Sequence, residues 1–351
     1  MLYTKTHELE ENEKSLAENS FENKSTEKHF DNKSIEKLQE CGISIQDIIK
    51  LKQSGICTLK GVLMAPKRLL SKIKGLSDIK IDKMKDLASK HLNTDFMSAS
   101  SYAIKRQNVY RISTGSTDLD TLLGGGIQTN SITEAFGEFR TGKTQLASTL
   151  CVTVQLPESE GGCNGKAAFI DTEGTFRPDR LKTIAIQHNL DPDTVLENVI
   201  FARAYNSEHQ FDLLQHLTSK FSEDPKFKLL IVDSIISLFR VDFSGRGELN
   251  ERQQKLNQYL SKLLNISEEF NVAVFITNQM MADPSGSMSF VSDPKKPIGG
   301  HVLAHASTTR LYLRKGRGDT RVAKVYDSPD LSENEAVYCI TDGGICNVEG
   351  D

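Results

Sequence analysis

The segment Gly137-Glu138-Phe139-Arg140-Thr141-Gly142-Lys143-Thr144 constrains this chain more than any other. It fits G-x-x-x-x-G-K-[ST], and a chance fit in a chain of this length is on the order of one in a hundred at ordinary glycine usage. An apolar run, Ile132–Phe136, precedes it, and a helical pattern opens at Gln145-Leu146-Ala147. Strand, glycine-bearing loop and helix are the context a phosphate cradle needs. Glycines let backbone N–H groups curl round phosphate oxygens, and the helix N-terminus favours negative charge. Lys143 is expected to reach the β- and γ-phosphates and Thr144 to offer its hydroxyl to Mg²⁺. The expected cofactors are therefore ATP and Mg²⁺, held by Gly137 through Gln145.

Three further apolar runs read as buried parallel strands ending in polar residues, and ligands of open α/β sheets sit at those ends. Leu229-Leu230-Ile231-Val232 ends in Asp233, which alone is weak but beside the loop reads as the carboxylate that positions Mg²⁺. Ala167–Ile170 runs into Asp171-Thr172-Glu173-Gly174, where Glu173 is the candidate to polarise the attacking water. The competing reading is that Asp171 or Glu173 only caps the turn. Val272–Thr277 leads to Asn278-Gln279, a neutral amide able to report the γ-phosphate to the segment Met280–Gly300. That segment reads as a long structureless loop, and such loops inside compact domains are usually functional. Arg240–Gly247 reads as a second loop, with Arg246 otherwise a solvated charge. Ser207–Phe221 and Glu248–Phe270 read as amphipathic helices, and Arg310–Leu313 and Arg321–Tyr326 as further strands. The fold class is α/β, a mainly parallel twisted sheet with helices on both faces, over residues 108–351.

Ahead of this core the composition changes. Residues 1–33 carry eight acidic and five basic side chains and few apolar ones, as expected of a disordered acidic tail. Residues 34–92 carry twelve Lys/Arg against six Asp/Glu, with apolar residues at helical spacing and turns at Gly42, Gly55 and Gly75. Ser34 is the expected cap of the first helix. Ile73-Lys74-Gly75-Leu76-Ser77 resembles a helix-hairpin-helix turn, suited to a DNA phosphate, with Lys72, Lys74 and Lys80 supplying charge. The alternative is a plain helical bundle with a solvated lysine face. Residues 93–107 read as a linker. Its Phe96 has no local core to join and is expected to dock on another subunit or on its own large domain. Net charge is −4, so nucleic-acid binding must come from local patches. No run of about 18 apolar residues occurs, and no membrane partner is expected. The six cysteines show no C-x-x-C pair, which reads as reduced thiols.

Together, Gly137–Gln145, Phe169–Arg180, Ser244–Leu249 and Asp293–Arg310 resemble the eukaryotic and archaeal RecA-type recombinases. The resemblance runs from about residue 35 to the C-terminus. Ser54–Thr58, Tyr205–Gln210, Ser234–Phe243 and Arg252-Gln253-Gln254 are most similar to the meiosis-specific branch. Asp171–Gly174 and Leu311–Gly316 are shared with, or lean toward, the general-repair branch. The resemblance implies a RecA-like ATPase core behind a small helical domain, and a homo-oligomer, helical filament or ring, on single-stranded DNA. Such a filament pairs its strand with homologous double-stranded DNA and exchanges strands. It also implies residue roles. Arg180 would pack on adenine, and Phe96 and Ala99 would form the polymerisation motif. Asp327 and Pro329 would cap the ATP of the neighbouring subunit, with His305 sensing its γ-phosphate. Arg240, Arg246 and Arg252 would form the first DNA loop, and Lys295 and Lys296 would belong to the second. Mediator proteins are implied partners, and the nucleus is the implied location. Rival readings are a non-exchanging mediator paralogue, a hexameric helicase motor and a DNA-binding module whose phosphate loop only shapes the fold.

Overall fold

A computed structural model describes residues 33–92, 94–245, 247–282 and 295–348. All but Lys33 of the expected tail lies outside the described residues, as do Arg246 and residues 283–294. The chain forms two compact units. In one, the described residues are 97–108. The other takes in the described residues between 33 and 96 and between 109 and 348.

The strands in chain order are β1 (Arg111–Ile112), β2 (Ile127–Gln128), β3 (Ser131–Gly137), β4 (Lys166–Asp171), β5 (Val199–Arg203), β6 (Phe227–Asp233) and β7 (Ala273–Asn278). There follow β8 (Met280–Ala282), β9 (Lys295–Pro297), β10 (Thr309–Lys315), β11 (Thr320–Asp327), β12 (Glu335–Thr341) and β13 (Gly344–Asn347). Nine of them make one sheet in the order β13-β12-β11-β10-β3-β7-β6-β4-β5. From β10 to β5 every pairing is parallel, whereas β10 to β13 is an antiparallel meander. The expected parallel sheet is therefore present, extended by an antiparallel wing.

Successive residues of a strand face opposite sides, so a continuous apolar run can serve two cores. Ala167 and Phe169, Leu229 and Ile231, and Ala273 and Phe275 enter one hydrophobic cluster. Their neighbours Ala168 and Ile170, Leu230 and Val232, and Val274 and Ile276 enter the other. Of the fourteen described α-helices, α1 to α5 are Lys37–Glu40, Ile45–Gln53, Leu59–Met64, Lys67–Leu70 and Asp78–Leu92. Next come α6 (Ala99–Arg106), α7 (Thr117–Leu122), α8 (Lys143–Thr153), α9 (Pro178–Gln187) and α10 (Pro192–Glu197). The last four are α11 (Ser207–Glu223), α12 (Ser237–Asp242), α13 (Leu249–Phe270) and α14 (Gly300–Ala306). Helices α8 and α9 pack on the first cluster, α11 and α13 on the second. Truncating a core aromatic such as Phe275 costs about 3–5 kcal/mol.

One ion pair is sealed between the strands. Arg310 Nε lies 2.6 Å from Glu134 Oε2, with side chains 6% and 0% exposed. Asn278 Nδ2 donates to the other carboxylate oxygen at 2.8 Å, and the guanidinium lies over the Phe136 and Tyr326 rings. Burial of these charges is tolerable because each is paired and hydrogen-bonded.

Helices α1 to α5 enclose their own apolar cluster, with Leu38, Ile48, Leu51, Leu70, Ile81 and Met84 buried. Ser34 does not cap α1, whose first turn has no side-chain cap; it pairs with Thr58 as an isolated bridge. Ile45, Ile49, Leu69 and Ile79 stay exposed, because the helical spacing marks a broader stripe than this small core can cover. Lys80 is tied to the buried Asp47 carboxylate at 2.8 Å, while Lys72 and Lys74 remain exposed beside Gly75. Against α13, the Thr58 hydroxyl donates to Glu269 Oε1 at 2.5 Å and Lys60 Nζ to the Glu268 carbonyl at 2.6 Å. The expected linker carries α6, none of whose residues is buried.

Candidate active site

The phosphate loop is shaped by two glycines that admit no side chain. A Cβ on Gly137 would meet the Leu313 carbonyl oxygen at 2.2 Å, and Gly142 has φ +100° as the N-cap of α8. A hollow of about 720 Å³ lies over the loop, lined by Gly137 to Gln145, Glu173, Thr175, Asp233, Ser234, Thr277, Gln279, Met280 and Met281. The strand ends that line it, from β3, β6 and β7, are carboxyl ends, the ligand side of an open α/β sheet.

Lys143 Nζ bends back onto the Gly137 and Glu138 carbonyls at 2.9 and 2.8 Å. Burial holds its pKa below the usual lysine value, partly opposed by the carboxylates of Asp233 and Glu173. Thr144 Oγ1 donates to Asp233 Oδ2 at 2.7 Å, and the Thr277 hydroxyl donates to Oδ1. Burial raises the Asp233 pKa, and the two hydroxyl hydrogen bonds act against it. A divalent cation at Thr144 and Asp233 would offset that desolvation. Two protein oxygens beside a phosphate site are an ordinary donor set for Mg²⁺. Among the described residues no group of three or more His, Cys, Asp or Glu side chains gathers as a metal site.

Asp171 and Glu173 separate into different roles. Asp171 Oδ1 accepts the backbone N–H groups of Glu173 and Gly174 at 2.8 and 2.7 Å and the Arg203 guanidinium at 2.8 Å, so Asp171 is the turn cap. Glu173 is exposed to the hollow. Its Oε1 accepts from Ser234 Oγ at 2.7 Å and from Gln279 Nε2 at 2.5 Å. At the end of β7 the chain alternates, so that Asn278 turns inward to Glu134 and Gln279 outward to Glu173.

Other expected residues stand apart from the hollow. Arg180 Nε donates to Gln145 Oε1 at 2.7 Å, and its terminal nitrogens donate to the Asp342 and Thr341 carbonyls. His305 on α14 stacks on His301 at 6.1 Å beside a separate hollow of about 400 Å³. Asp327, the last residue of β11, and Pro329, just beyond it, are exposed. Arg240 lies on α12, which corrects the expected loop there, because Leu238 and Phe239 anchor that turn in the core. Arg252 lies in the first turn of α13. The expectation of a structureless Met280–Gly300 is corrected at both ends. Met280–Ala282 pairs antiparallel with Lys295–Pro297, Met281 opposite the exposed Lys296. Phe96 is fully exposed, and Ala99 opens α6.

Thr277, Ser234 and Tyr338 also serve the site without a sequence motif to mark them; the Tyr338 hydroxyl donates to the Thr141 carbonyl of the loop at 3.0 Å. No local pattern marks a hydroxyl whose partner lies on another strand.

A family model described as Rad51 matches residues 105–348. The chain belongs to the Rad51 family. Among its relatives, the human meiotic recombination protein DMC1/LIM15 homolog is 62% identical over 309 residues, 88% of this chain and 91% of the relative. Its mouse counterpart is 61% identical over the same span. The meiotic recombination protein DMC1 homolog of Arabidopsis thaliana is 60% identical over 314 residues, 90% of this chain and 91% of the relative. The Rad51 match contains the whole hollow and every residue that lines it.

Proposed function

We propose that this Rad51-family chain is an ATP-dependent recombinase that assembles on single-stranded DNA and exchanges strands with a homologous duplex in meiotic recombination and double-strand break repair. The observation that carries the reading is the convergence of Lys143, Thr144, Asp233, Glu173 and Gln279 on one hollow over a phosphate loop. The relatives' names, meiotic recombination proteins, support the biological setting and with it a nuclear location.

In this reading the loop N–H groups and Lys143 hold the ATP phosphates, Lys143 leaving its two carbonyl partners to do so. Mg²⁺, held through Thr144 and Asp233, supplies charge neutralisation on the phosphates. Glu173 orients and deprotonates the attacking water, and Ser234 fixes the carboxylate. Gln279, bonded to Glu173 and followed directly by β8, relays nucleotide state to the segment between β8 and β9. Arg240, Arg246, Arg252, Lys295 and Lys296 contact mainly DNA phosphate, so binding is sequence-tolerant and salt-sensitive. Phe96 and Ala99 join protomers, while Arg180, His305, Asp327 and Pro329 complete ATP sites at the bases and between subunits. Residues 34–92 serve as a DNA-binding helical domain and 108–351 as the ATPase core.

The test is strand exchange with a coated single strand, a labelled homologous duplex and Mg²⁺–ATP, beside a heterologous duplex and a Lys143→Arg sample. Product that requires homology, and that weakens in the variant, supports the reading. Absence of product from well-folded protein that binds ATP and DNA overturns it in favour of a mediator.

A further inference from the structure

The β12–β13 hairpin carries a pair of thiols that this chemistry does not use. Cys339 and Cys346 stand directly opposite in the antiparallel register, and their sulfurs lie 2.9 Å apart. Neither is in a disulfide, and both are half-buried. A disulfide requires sulfurs at about 2.0 Å and Cα atoms about 4.4–6.8 Å apart, a Cα range that directly opposed residues of antiparallel strands already meet. Closure therefore moves the sulfurs by less than about 1 Å. The remaining cysteines are placed differently. Cys57, Cys151 and Cys163 are buried, and burial pushes the Cys57 thiol up to about 11 and that of Cys151 higher still. Such thiols form little of the reactive thiolate. The half-buried Cys41 has its sulfur 3.4 Å from His91 Nε2.

The same hairpin braces the nucleotide hollow at three points. Tyr338, next to Cys339, donates to the Thr141 carbonyl. Ile340, on its other side, leaves no room at Gly142, where a Cβ would meet its Cδ1 at 2.8 Å. The turn carbonyls of Thr341 and Asp342 accept from Arg180, which also holds Gln145.

We propose that Cys339 and Cys346 form a dithiol–disulfide site that exchanges with a low-molecular-weight disulfide, and that the bridge acts on nucleotide binding through this hairpin. The second half rests on the ATP reading above. One cysteine thiolate attacks a sulfur of glutathione disulfide, forming a mixed disulfide and releasing one glutathione thiolate. The other thiolate then attacks the protein sulfur of that mixed disulfide and releases the second glutathione. Two cysteine thiols are oxidised and one glutathione disulfide is reduced to two glutathiones. Excess glutathione reverses both steps. A bridge across directly paired strands in a half-exposed hairpin belongs to the labile class rather than the buried structural one.

The experiment equilibrates the folded chain with graded ratios of glutathione disulfide to glutathione, quenches by alkylation and weighs tryptic peptides. No Lys or Arg follows Lys324, so both cysteines fall in the peptide Val325–Asp351. That peptide is expected to become lighter by two hydrogens and to escape alkylation, reversibly. Unbridged glutathione adducts, or an unchanged peptide, overturn the site. In parallel, ATP affinity is expected to differ by about fivefold or more between oxidised and reduced protein, the low end of coupling between sites. It is expected not to respond to oxidant in the Cys339→Ala/Cys346→Ala protein. A bridge without any such difference overturns the coupling. ATP binding absent from both forms counts against the nucleotide reading, while the peptide mass still decides the thiol pair.

Discussion

Glu173 and Gln279 are joined side chain to side chain, Nε2 to Oε1 at 2.5 Å, although 106 residues separate them in sequence. The bond ties the segment after β4 to the end of β7, across the hollow that the phosphate loop floors. Glu173→Gln is expected to lower ATP turnover by about 10² or more while leaving ATP binding within a few-fold of the parent. Gln279→Ala is expected to keep basal turnover but lose most of its stimulation by single-stranded DNA. Single-turnover hydrolysis with and without DNA distinguishes the two.

Lys143 is partly buried with carbonyl partners, and its charge is desolvated. Lys143→Ala is expected to weaken ATP binding by at least about tenfold, since a charge-assisted contact to phosphate is worth about 1.5–3 kcal/mol. Lys143→Arg, which keeps the charge, is expected to bind more tightly than the alanine variant. Titration with a fluorescent ATP analogue measures both.

The Glu134–Arg310 pair is closed to solvent, so losing one partner strands the other charge. Glu134→Ala is expected to cost about 3–5 kcal/mol by denaturant unfolding. Glu134→Leu with Arg310→Met is expected to be milder than either single change, because no unpaired charge remains.

Burial pushes the Glu269 carboxyl from 4.5 up to about 7, against the lowering effects of the Thr58 hydroxyl and Lys60. The folded state therefore prefers the protonated acid. Its contribution is full below pH 4.5 and is lost as pH rises through about 7, up to about 3 kcal/mol. Glu269→Gln removes this dependence, and its stability relative to the parent is expected to rise between pH 5 and pH 8. Urea unfolding at several pH values checks the sign.

Phe96 is fully exposed, and a large apolar side chain held in water favours a partner. Phe96→Glu is expected to convert oligomer to monomer in sedimentation while retaining ATP binding, since Phe96 does not line the hollow.

The local sequence determined the phosphate loop, the strands on either side of it and the two long helices, because each is written in contiguous periodicity or in glycines that only one backbone conformation uses. Asp233 and Glu173 were legible as the ends of apolar runs. The antiparallel wing was harder to see. Its first two strands show as the runs Arg310–Leu313 and Arg321–Tyr326, whereas the apolar stretches Ala336–Ile340 of β12 and Val199–Ala202 of β5 resemble buried strands, although β12 alternates exposed and buried residues and β5 is a half-exposed edge. Only the tertiary structure decided that Asp171 caps while Glu173 faces the hollow, that Asn278 serves Glu134, and that Thr58 meets Glu269. Cys339 and Cys346, separated by six residues in sequence, become neighbours only through the register of a two-residue turn. Each of these depends on a partner distant along the chain or across a turn, and side-chain periodicity specifies a face without naming what lies against it.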